Sequence, residues 1–233
     1  MTGTVLNIIT VLIGGGIGLL FGARIPERFK STVIAGMGLF TAAMGAQMFL
    51  KSENQLIVLG AMLVGTLLGE WMKIEDRLQA FGMSLEKRFS SEDESGAGSR
   101  FVRGFMVASL LFCIGPMTIL GSIQDGLTGD YQLLAVKSTL DGFASIAFAS
   151  TLGAGVLFST IVILIFQGGI SLLAGVLSAI ISDPMMNEMT ATGGVILAGL
   201  AVSNLLEIKK IRVGNFLPAL AIAPFIVWIV GKI

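Results

Sequence analysis

Two ionisable residues lie within a long apolar stretch of the sequence. Lys137 and Asp141 are one helical turn apart in the apolar stretch "YQLLAVKSTLDGFASIAFAS", and Ser138 and Ser145 extend the same polar face. Each charge near the centre of a bilayer costs about 2.5–3.5 kcal/mol on insertion scales, and opposite charges at this spacing can meet and lower that cost. The pair predicts a substrate-ion or proton-coupling site that faces a wet cavity. The alternative is a buried ion pair that only fixes helix packing.

Four amide side chains lie at helical depth. They are Asn7, Gln47, Gln167 and Asn204. Gln47 and Asn204 are near-equivalent, one position out of register, in the internal repeat described below, as expected of a pseudo-symmetric site. Taken alone, an amide at this depth more often makes an interhelical hydrogen bond. We predict Gln47, Gln167 and Asn204 as the polar lining.

A helix breaker precedes the charged pair, in "CIGPMTILGSIQDGLTGDYQ". Pro116 removes a backbone donor, and Gly115 loosens the same helix. A broken helix exposes backbone groups that can bind ions or substrate where protein or water lines them, although a simple proline kink explains the pattern as well. Asp125 and Asp130 could attract cations at an outer entrance; the alternative is a turn with solvated carboxylates.

Composition limits both the solvent and the chemistry. Of the 233 residues 54% are hydrophobic and 13% charged, whereas soluble domains carry about 25% charged residues. Histidine is absent and Cys113 is the only cysteine, so we expect no disulfide, metal cluster or cofactor. Without a P-loop or a G-x-S-x-G motif, an enzyme is not expected, and without a dense basic cluster neither is nucleic-acid binding.

Long apolar stretches predict an all-α polytopic membrane protein, because each can cross a ~30 Å hydrocarbon core. We expect eight transmembrane helices, at roughly 4–23, 31–50, 55–72, 101–122, 131–151, 156–181, 189–206 and 214–231. Four domains are predicted. They are a three-helix repeat (1–72), a cytoplasmic segment (73–100), a central helix pair with a broken helix (101–152) and a second, inverted three-helix repeat (153–233). Within 131–181 the count of seven or eight spans stays open.

The one long polar segment begins at residue 73. Its apolar residues recur at steps of three and four, which predicts an amphipathic helix on the membrane surface. These residues are Ile74, Leu78, Phe81, Leu85 and Phe89. The stretch "SSEDESGAGS" follows as a predicted flexible linker. A lipid-regulated sensor and a plain cytoplasmic connector are the two interpretations of this segment.

Basic residues predict the orientation. With eight spans and the amino terminus outside, twelve of the fifteen Lys and Arg residues lie inside, Lys51 and Lys232 lie outside, and Lys137 lies within a span. The loops at 123–130 and 182–188 then lie outside and carry acidic but no basic residues. This distribution follows the positive-inside rule and predicts both termini outside.

Glycine-rich stretches indicate an internal repeat. "GGIGLLFG" at Gly15–Gly22 returns as "GGISLLAG" at Gly168–Gly175, identical at six of eight positions, and the stretch from Gly36 resembles that from Thr192. The copies begin on the first and sixth crossings, so they are inverted, as in secondary transporters. Chance similarity between two Gly/Leu-rich helices is the alternative.

The glycines themselves predict helix packing. Small residues recur every four positions on two helices, at Gly14, Gly18 and Gly22 and at Ala61, Gly65 and Gly69. Such stripes let helix backbones approach closely in lipid. A dinucleotide-binding loop is not indicated, because neither its spacing nor a preceding strand is present.

Several longer motifs carry a family resemblance. "GSIQDGLTGDYQLLAVKSTLDG", "FASTLGAGVLFS", "QGGISLLAG" and "IKKIRVGNFLPAL" resemble the YdfK/YqgA family of bacterial multi-pass inner-membrane proteins, known as domain of unknown function 554. The resemblance covers essentially the whole chain. It implies a bacterial plasma-membrane location and brings no established substrate or activity.

The function predicted from these features is a secondary transporter of small solutes or ions, with Lys137 and Asp141 as its charged centre. An ion channel is one alternative, and a non-transporting scaffold or regulator that acts through the surface helix is another. The expected partners are the lipid bilayer and a small solute or ion, and assembly into a homo-oligomer stays open.

Overall fold

The computed structural model describes residues 1–22, 24–89 and 97–231, and these form helices joined by short loops. The helices are α1 Thr2–Gly22, α2 Glu27–Phe49, α3 Gln55–Met72, α4 Ile74–Phe89, α5 Ala97–Cys113, α6 Pro116–Thr128, α7 Gln132–Leu152, α8 Gly155–Leu172, α9 Ala174–Ile180, α10 Asp183–Leu200 and α11 Pro218–Val230. A π-helical turn, Ala201–Leu205, continues α10, and a 3-10 turn, Val213–Phe216, leads into α11. The all-α fold class predicted from the sequence is confirmed.

Seven of the described helical segments are long and apolar enough to cross a membrane, and a bent pair makes an eighth candidate. This pair, Arg100–Cys113 and Pro116–Thr128, is bent by 63°. The predicted span 101–122 is therefore divided at Gly115–Pro116, where the sequence indicated a break, and its second helix ends at Thr128 rather than at 122. Pro116 has no N–H to continue the helix, and Gly115 before it is extended, at φ 169° and ψ 150°.

Other helix boundaries differ from those predicted. The predicted span 156–181 is divided into α8 and α9, and α10 begins at Asp183 rather than at 189. The predicted span 214–231 starts with a 3-10 turn before α11. Within 131–181, α7 and α8 are separate helices, because Gly153 between them adopts φ +83°, which favours glycine.

The chain forms two compact units. Unit 1 comprises 1–36 and 79–177, and unit 2 comprises 37–78 and 178–233. The four domains predicted from the sequence were divided according to the internal repeat, whereas these two units are divided by compactness. The four domains therefore stay predictions.

In unit 1, α1 and α7 run parallel and in close contact. A Cβ atom at Gly14 or Gly18 would overlap the α7 backbone, and one at Gly22 would lie 2.8 Å from Ser150 Cα. Near the start of α1, Gly3 packs against Leu134. The prediction that this glycine stripe serves helix packing is confirmed.

We expect Gly18→Ala to lower the free energy of unfolding by about 1–3 kcal/mol, because the new methyl group overpacks the α1–α7 contact. Gly16→Ala is the matched control, since a Cβ there meets nothing within 4 Å. The control should be neutral or stabilising by up to about 1 kcal/mol from helix propensity. Equal unfolding midpoints in detergent for the two variants would contradict this packing.

The bent pair α5–α6 crosses unit 1 completely. Where α5 begins, Phe101 packs against Gly155 at the start of α8. Where α6 ends, Gly126 packs against Ala174, and Asp125 accepts a hydrogen bond from the Gly3 amide. The pair thus leads from the end where α7 finishes to the end where α1 begins. It is one broken crossing rather than a re-entrant loop.

Unit 2 is built from antiparallel helices in close contact. Gly45 of α2 and Gly194 of α10 pack backbone to backbone. Added Cβ atoms at Gly65 and Gly69 of α3 would lie 2.6 Å from Ala219 Cα and 2.8 Å from Asn215 Cα. The second small-residue stripe therefore also serves packing.

The predicted amphipathic helix forms as α4. Part of its apolar stripe packs on protein, since the rings of Phe81 and Phe105 meet edge to face with centroids 5.8 Å apart. Residues 90–96 of the predicted linker, and Lys232, lie outside the described residues.

Candidate functional site

A buried polar cluster joins three helices of unit 1. Its members are Thr4 and Asn7 of α1, Lys137 and Asp141 of α7, and Gln167 of α8. Helical periodicity places Lys137 and Asp141 on one face of α7. The glycines of α1 allow that helix to approach α7 closely enough for side chains of ordinary length to meet.

Lys137 and Asp141 form a buried ion pair. The Lys137 Nζ atom donates to Asp141 Oδ2, and the two residues are only 7% and 8% exposed. Removing one partner of such a pair is strongly destabilising, by about 3–5 kcal/mol, because an uncompensated buried charge remains.

Asn7 connects the ion pair to α8. Its Nδ2 atom donates to Asp141 Oδ2 and to Gln167 Oε1, both at 3.0 Å. Gln167 Nε2 in turn donates to Thr4 Oγ1 at 3.3 Å. A continuous hydrogen-bonded path therefore runs from α7 through α1 to α8.

One atom of this cluster is unsatisfied. Asn7 is fully buried, and its Oδ1 atom has no hydrogen-bond partner among the described residues. A buried acceptor without a partner costs about 1–3 kcal/mol. The cluster thus has capacity for a further donor or cation.

The predicted serines lie beside the cluster and bond to backbone. Ser138 Oγ donates to the Leu134 carbonyl at 2.6 Å. Ser145 Oγ contacts the Gly142 carbonyl at 2.8 Å and the Val11 carbonyl of α1 at 3.3 Å. Both serines are buried, Ser145 lies at the α1–α7 contact, and neither joins the hydrogen-bonded path of the cluster.

Gln47 and Asn204 belong to unit 2. Gln47 is on the exposed side of α2, and Asn204 is partly buried in the π-helical turn. A π turn contains one more residue than an α turn, so residues within it shift around the helix axis. Their predicted role as polar lining stays a prediction.

The two predicted entrance carboxylates have different environments. Asp125 is buried, and its carboxylate accepts from the Gly3 amide at 3.0 Å and pairs with the Met1 amino group at 3.2 Å. It therefore holds the first turn of α1, and the alternative of a solvated carboxylate is wrong for this residue. Asp130 is exposed, and its Oδ1 accepts from the Gln132 amide at the start of α7.

Two backbone carbonyls beside Pro116 accept hydrogen bonds from Thr118. The Gly115 carbonyl accepts from the Thr118 amide at 3.1 Å. The Phe112 carbonyl, before the break, accepts from Thr118 Oγ1 at 3.2 Å. Gly115 and Pro116 thus allow bending, while a side chain of α6 compensates for part of the lost helical bonding.

Sequence reasoning noted Asn7 as a polar residue at helical depth but left it and Thr4 out of the site. Asn7 interrupts an apolar run, and that was the available signal. Across the part of the chain that the structure describes, no three His, Cys, Asp or Glu residues converge on a metal site. The oxygen atoms available in the cluster come from one carboxylate, two amides and a hydroxyl group.

Comparisons with known proteins agree with the membrane fold. The profile of the family described as "Protein of unknown function (DUF554)" matches residues 2–228. The chain is 32% identical to the uncharacterized membrane protein YdfK of Bacillus subtilis, over 99% of this chain and 97% of the relative. It is 30% identical to the uncharacterized protein YqgA of Escherichia coli, over 95% and 94%. No solved structure matches the chain. Together with its apolar helices, these similarities indicate a multi-pass membrane protein.

Proposed function

We propose that this chain, which belongs to the DUF554 family of proteins of unknown function, is a secondary transporter of small solutes or ions. The observation that carries the proposal is the buried Lys137–Asp141 pair and its hydrogen-bonded path to Asn7 and Gln167. Ionisable residues inside a membrane most often mark a substrate, ion or proton pathway. The proposal places the protein in the bacterial plasma membrane with both termini outside, and it assigns no catalytic role.

Two helix contacts in unit 1 that the predicted inverted repeat would relate support this proposal. At the repeat offset of 153 residues, Gly15 corresponds to Gly168 and Thr4 corresponds to Leu157. A Cβ at Gly15 would lie 2.8 Å from Leu157 Cδ1, and one at Gly168 would lie 3.9 Å from Thr4 Cγ2. A contact and its repeat-related counterpart thus occur together, as expected when two antiparallel helices are related by a local two-fold axis.

Unit 2 supports the same interpretation for the next helix of each repeat. At an offset of 156 residues, Gly38 corresponds to Gly194, and Phe49 corresponds to Leu205. A Cβ at Gly38 would lie 3.1 Å from Leu205 Cβ, and one at Gly194 would lie 2.8 Å from the Phe49 backbone N. Transporters with inverted repeats bind substrate where the two copies meet. Asn7 and Gln167 lie on the two copies and touch each other.

The broken crossing gives the proposed transporter a means to move. The α5–α6 pair bends by 63° at Gly115–Pro116, and α6 packs on both α7 and α8 near the end where α1 begins. Discontinuous helices recur beside the substrate sites of such transporters. Movement of α6 about this break would change access to the cluster without unfolding α7 or α8.

Flux measurements test this proposal. Wild type, Asp141→Asn and the exposed control Thr139→Val are reconstituted in liposomes, and solute uptake is screened under imposed sodium and proton gradients. We expect at least one solute for which wild type and Thr139→Val give gradient-dependent uptake and Asp141→Asn loses at least tenfold. Equal uptake by wild type and Asp141→Asn across the panel would remove Asp141 from any coupling role.

A further inference from the structure

We propose that Asp141 binds a small monovalent metal cation in competition with the Lys137 ammonium group, and that the amide oxygens of Asn7 and Gln167 are further ligands. This inference rests on the proposed transport function and names the ion class that the same cluster takes. Lys137 then acts as a tethered cation that fills the site when no metal cation is bound.

The arrangement of oxygen atoms in the cluster is the first argument for a cation site. Asp141 Oδ2 and Gln167 Oε1 are each 3.0 Å from Asn7 Nδ2, so the two oxygens are close neighbours around one amide group. The other atom of that amide, Asn7 Oδ1, is buried without a partner. Hard cations bind carboxylate and amide oxygens. Asn7 Nδ2 faces Asp141 and Gln167, so turning this amide by 180° would put Oδ1 in place of the donor and direct all three oxygen atoms at one cation.

Charge balance favours a monovalent cation. The pair carries one positive and one negative charge, and both side chains are almost fully buried. A monovalent cation that replaces the ammonium group keeps Asp141 neutralised, whereas a divalent cation leaves an extra positive charge in a low-dielectric environment. An anion is disfavoured because the unsatisfied atom is an acceptor and Asp141 already carries a negative charge.

The position of Lys137 allows its ammonium group to move toward the exposed start of α7. Lys137 lies one turn closer than Asp141 to the start of α7 at Gln132, and Asp130 and Tyr131 are exposed just before that start. A lysine stem is flexible and can carry its charged end toward water. Release of Lys137 toward Asp130 would free the carboxylate of Asp141 for the metal cation.

Thermal unfolding of the full chain in detergent tests the inference without requiring transport. The added salts are NaCl, LiCl and KCl up to 500 mM, each compared with choline chloride at equal ionic strength. We expect at least one metal cation to raise the unfolding midpoint of wild type by roughly 3–6 °C at about ten times its Kd, because it binds the folded state.

Three variants make the test specific. Lys137→Met removes the competitor, so the apparent Kd for that cation should fall at least tenfold. Asn7→Ala removes a ligand but keeps the ion pair, so the apparent Kd should rise about tenfold, and this variant keeps the test decisive if Lys137→Met does not fold. Asp141→Asn should abolish the shift, and the exposed control Thr139→Val should retain it.

Each contrary result overturns the inference. These are the absence of any cation-specific shift in wild type, a shift retained by Asp141→Asn, or an unchanged Kd in Asn7→Ala. Cation binding without flux of any solute would overturn the proposed transport function and leave the site standing. Gradient-driven solute flux in a protein that no metal cation stabilises would support the proposed transport function and overturn the cation site.

Discussion

Replacing Asp141 by leucine alone is expected to lower the free energy of unfolding by about 3–5 kcal/mol, because the Lys137 ammonium group stays buried without its counter-ion. Lys137→Met alone should cost a similar amount, since it leaves the carboxylate uncompensated. The double variant Lys137→Met/Asp141→Leu should recover most of the loss, because apolar residues of similar volume often replace a buried ion pair without penalty.

Equilibrium unfolding in mixed micelles measures this cycle, with Thr139→Val on the same helix as the exposed control. If Asp141→Leu were no more destabilised than the control, the ion pair would not be buried as described. The double variant also separates function from scaffolding. A stable double variant that loses all transport assigns the pair to function, whereas one that retains transport makes it a packing device.

Loss of the Glu188 carboxylate is expected to be the second large effect. Glu188 of α10 is 1% exposed, and its Oε1 accepts from the backbone amides of Glu53 at 2.7 Å and Asn54 at 2.8 Å. Its Oε2 accepts from Ser52 Oγ at 2.7 Å. The carboxylate thus satisfies the turn before α3 and lies at the positive end of that helix, where a negative charge is stabilising.

Glu188→Ala should therefore lower the free energy of unfolding by about 2–4 kcal/mol, since two amides and a hydroxyl group lose a charged acceptor. Glu188→Gln should be intermediate, because it keeps an oxygen acceptor without the charge. The control Glu53→Gln changes an exposed carboxylate that accepts one bond, from Asn187, and should cost less than about 1 kcal/mol. Equal effects of Glu188→Ala and Glu53→Gln in urea unfolding would contradict this role.

Local spacing was enough to predict part of the site. Lys137 and Asp141 are four residues apart, and a helix places such residues on one face whatever surrounds it. The stripe at Gly14, Gly18 and Gly22 likewise predicted a close helix contact, because glycines at this spacing have few other uses in lipid.

Long-range partners could not be predicted in the same way. Asn7 and Asp141 are separated by 134 residues, and no periodicity says which helix α1 contacts or at what height. Asp125 shows the same limit. Its turn-like surroundings suggested a solvated carboxylate, whereas the start of α1 lies against it and buries it. The sequence indicated which residues are polar, and packing decides which of them meet.

Backbone irregularities account for the remaining differences. Pro116 predicted a break in the helix, yet the 63° bend between α5 and α6 depends on how these helices pack on α7 and α8. The π-helical turn at Ala201–Leu205 carries no proline or glycine, so hydrophobic periodicity at 3.6 residues per turn does not reveal it. Asn204 lies within that turn, and its direction therefore could not be predicted.

Accessibility of two engineered cysteines tests the inverted architecture most directly. The native Cys113 is buried and is replaced first, as Cys113→Ala, and Arg28→Cys and Ser182→Cys are then introduced separately at exposed positions. We predict that a membrane-impermeant maleimide added to intact cells labels the Ser182→Cys protein and leaves the Arg28→Cys protein unlabelled until the membrane is opened. Labelling of both positions from the same side would contradict the antiparallel repeat on which the transport proposal depends.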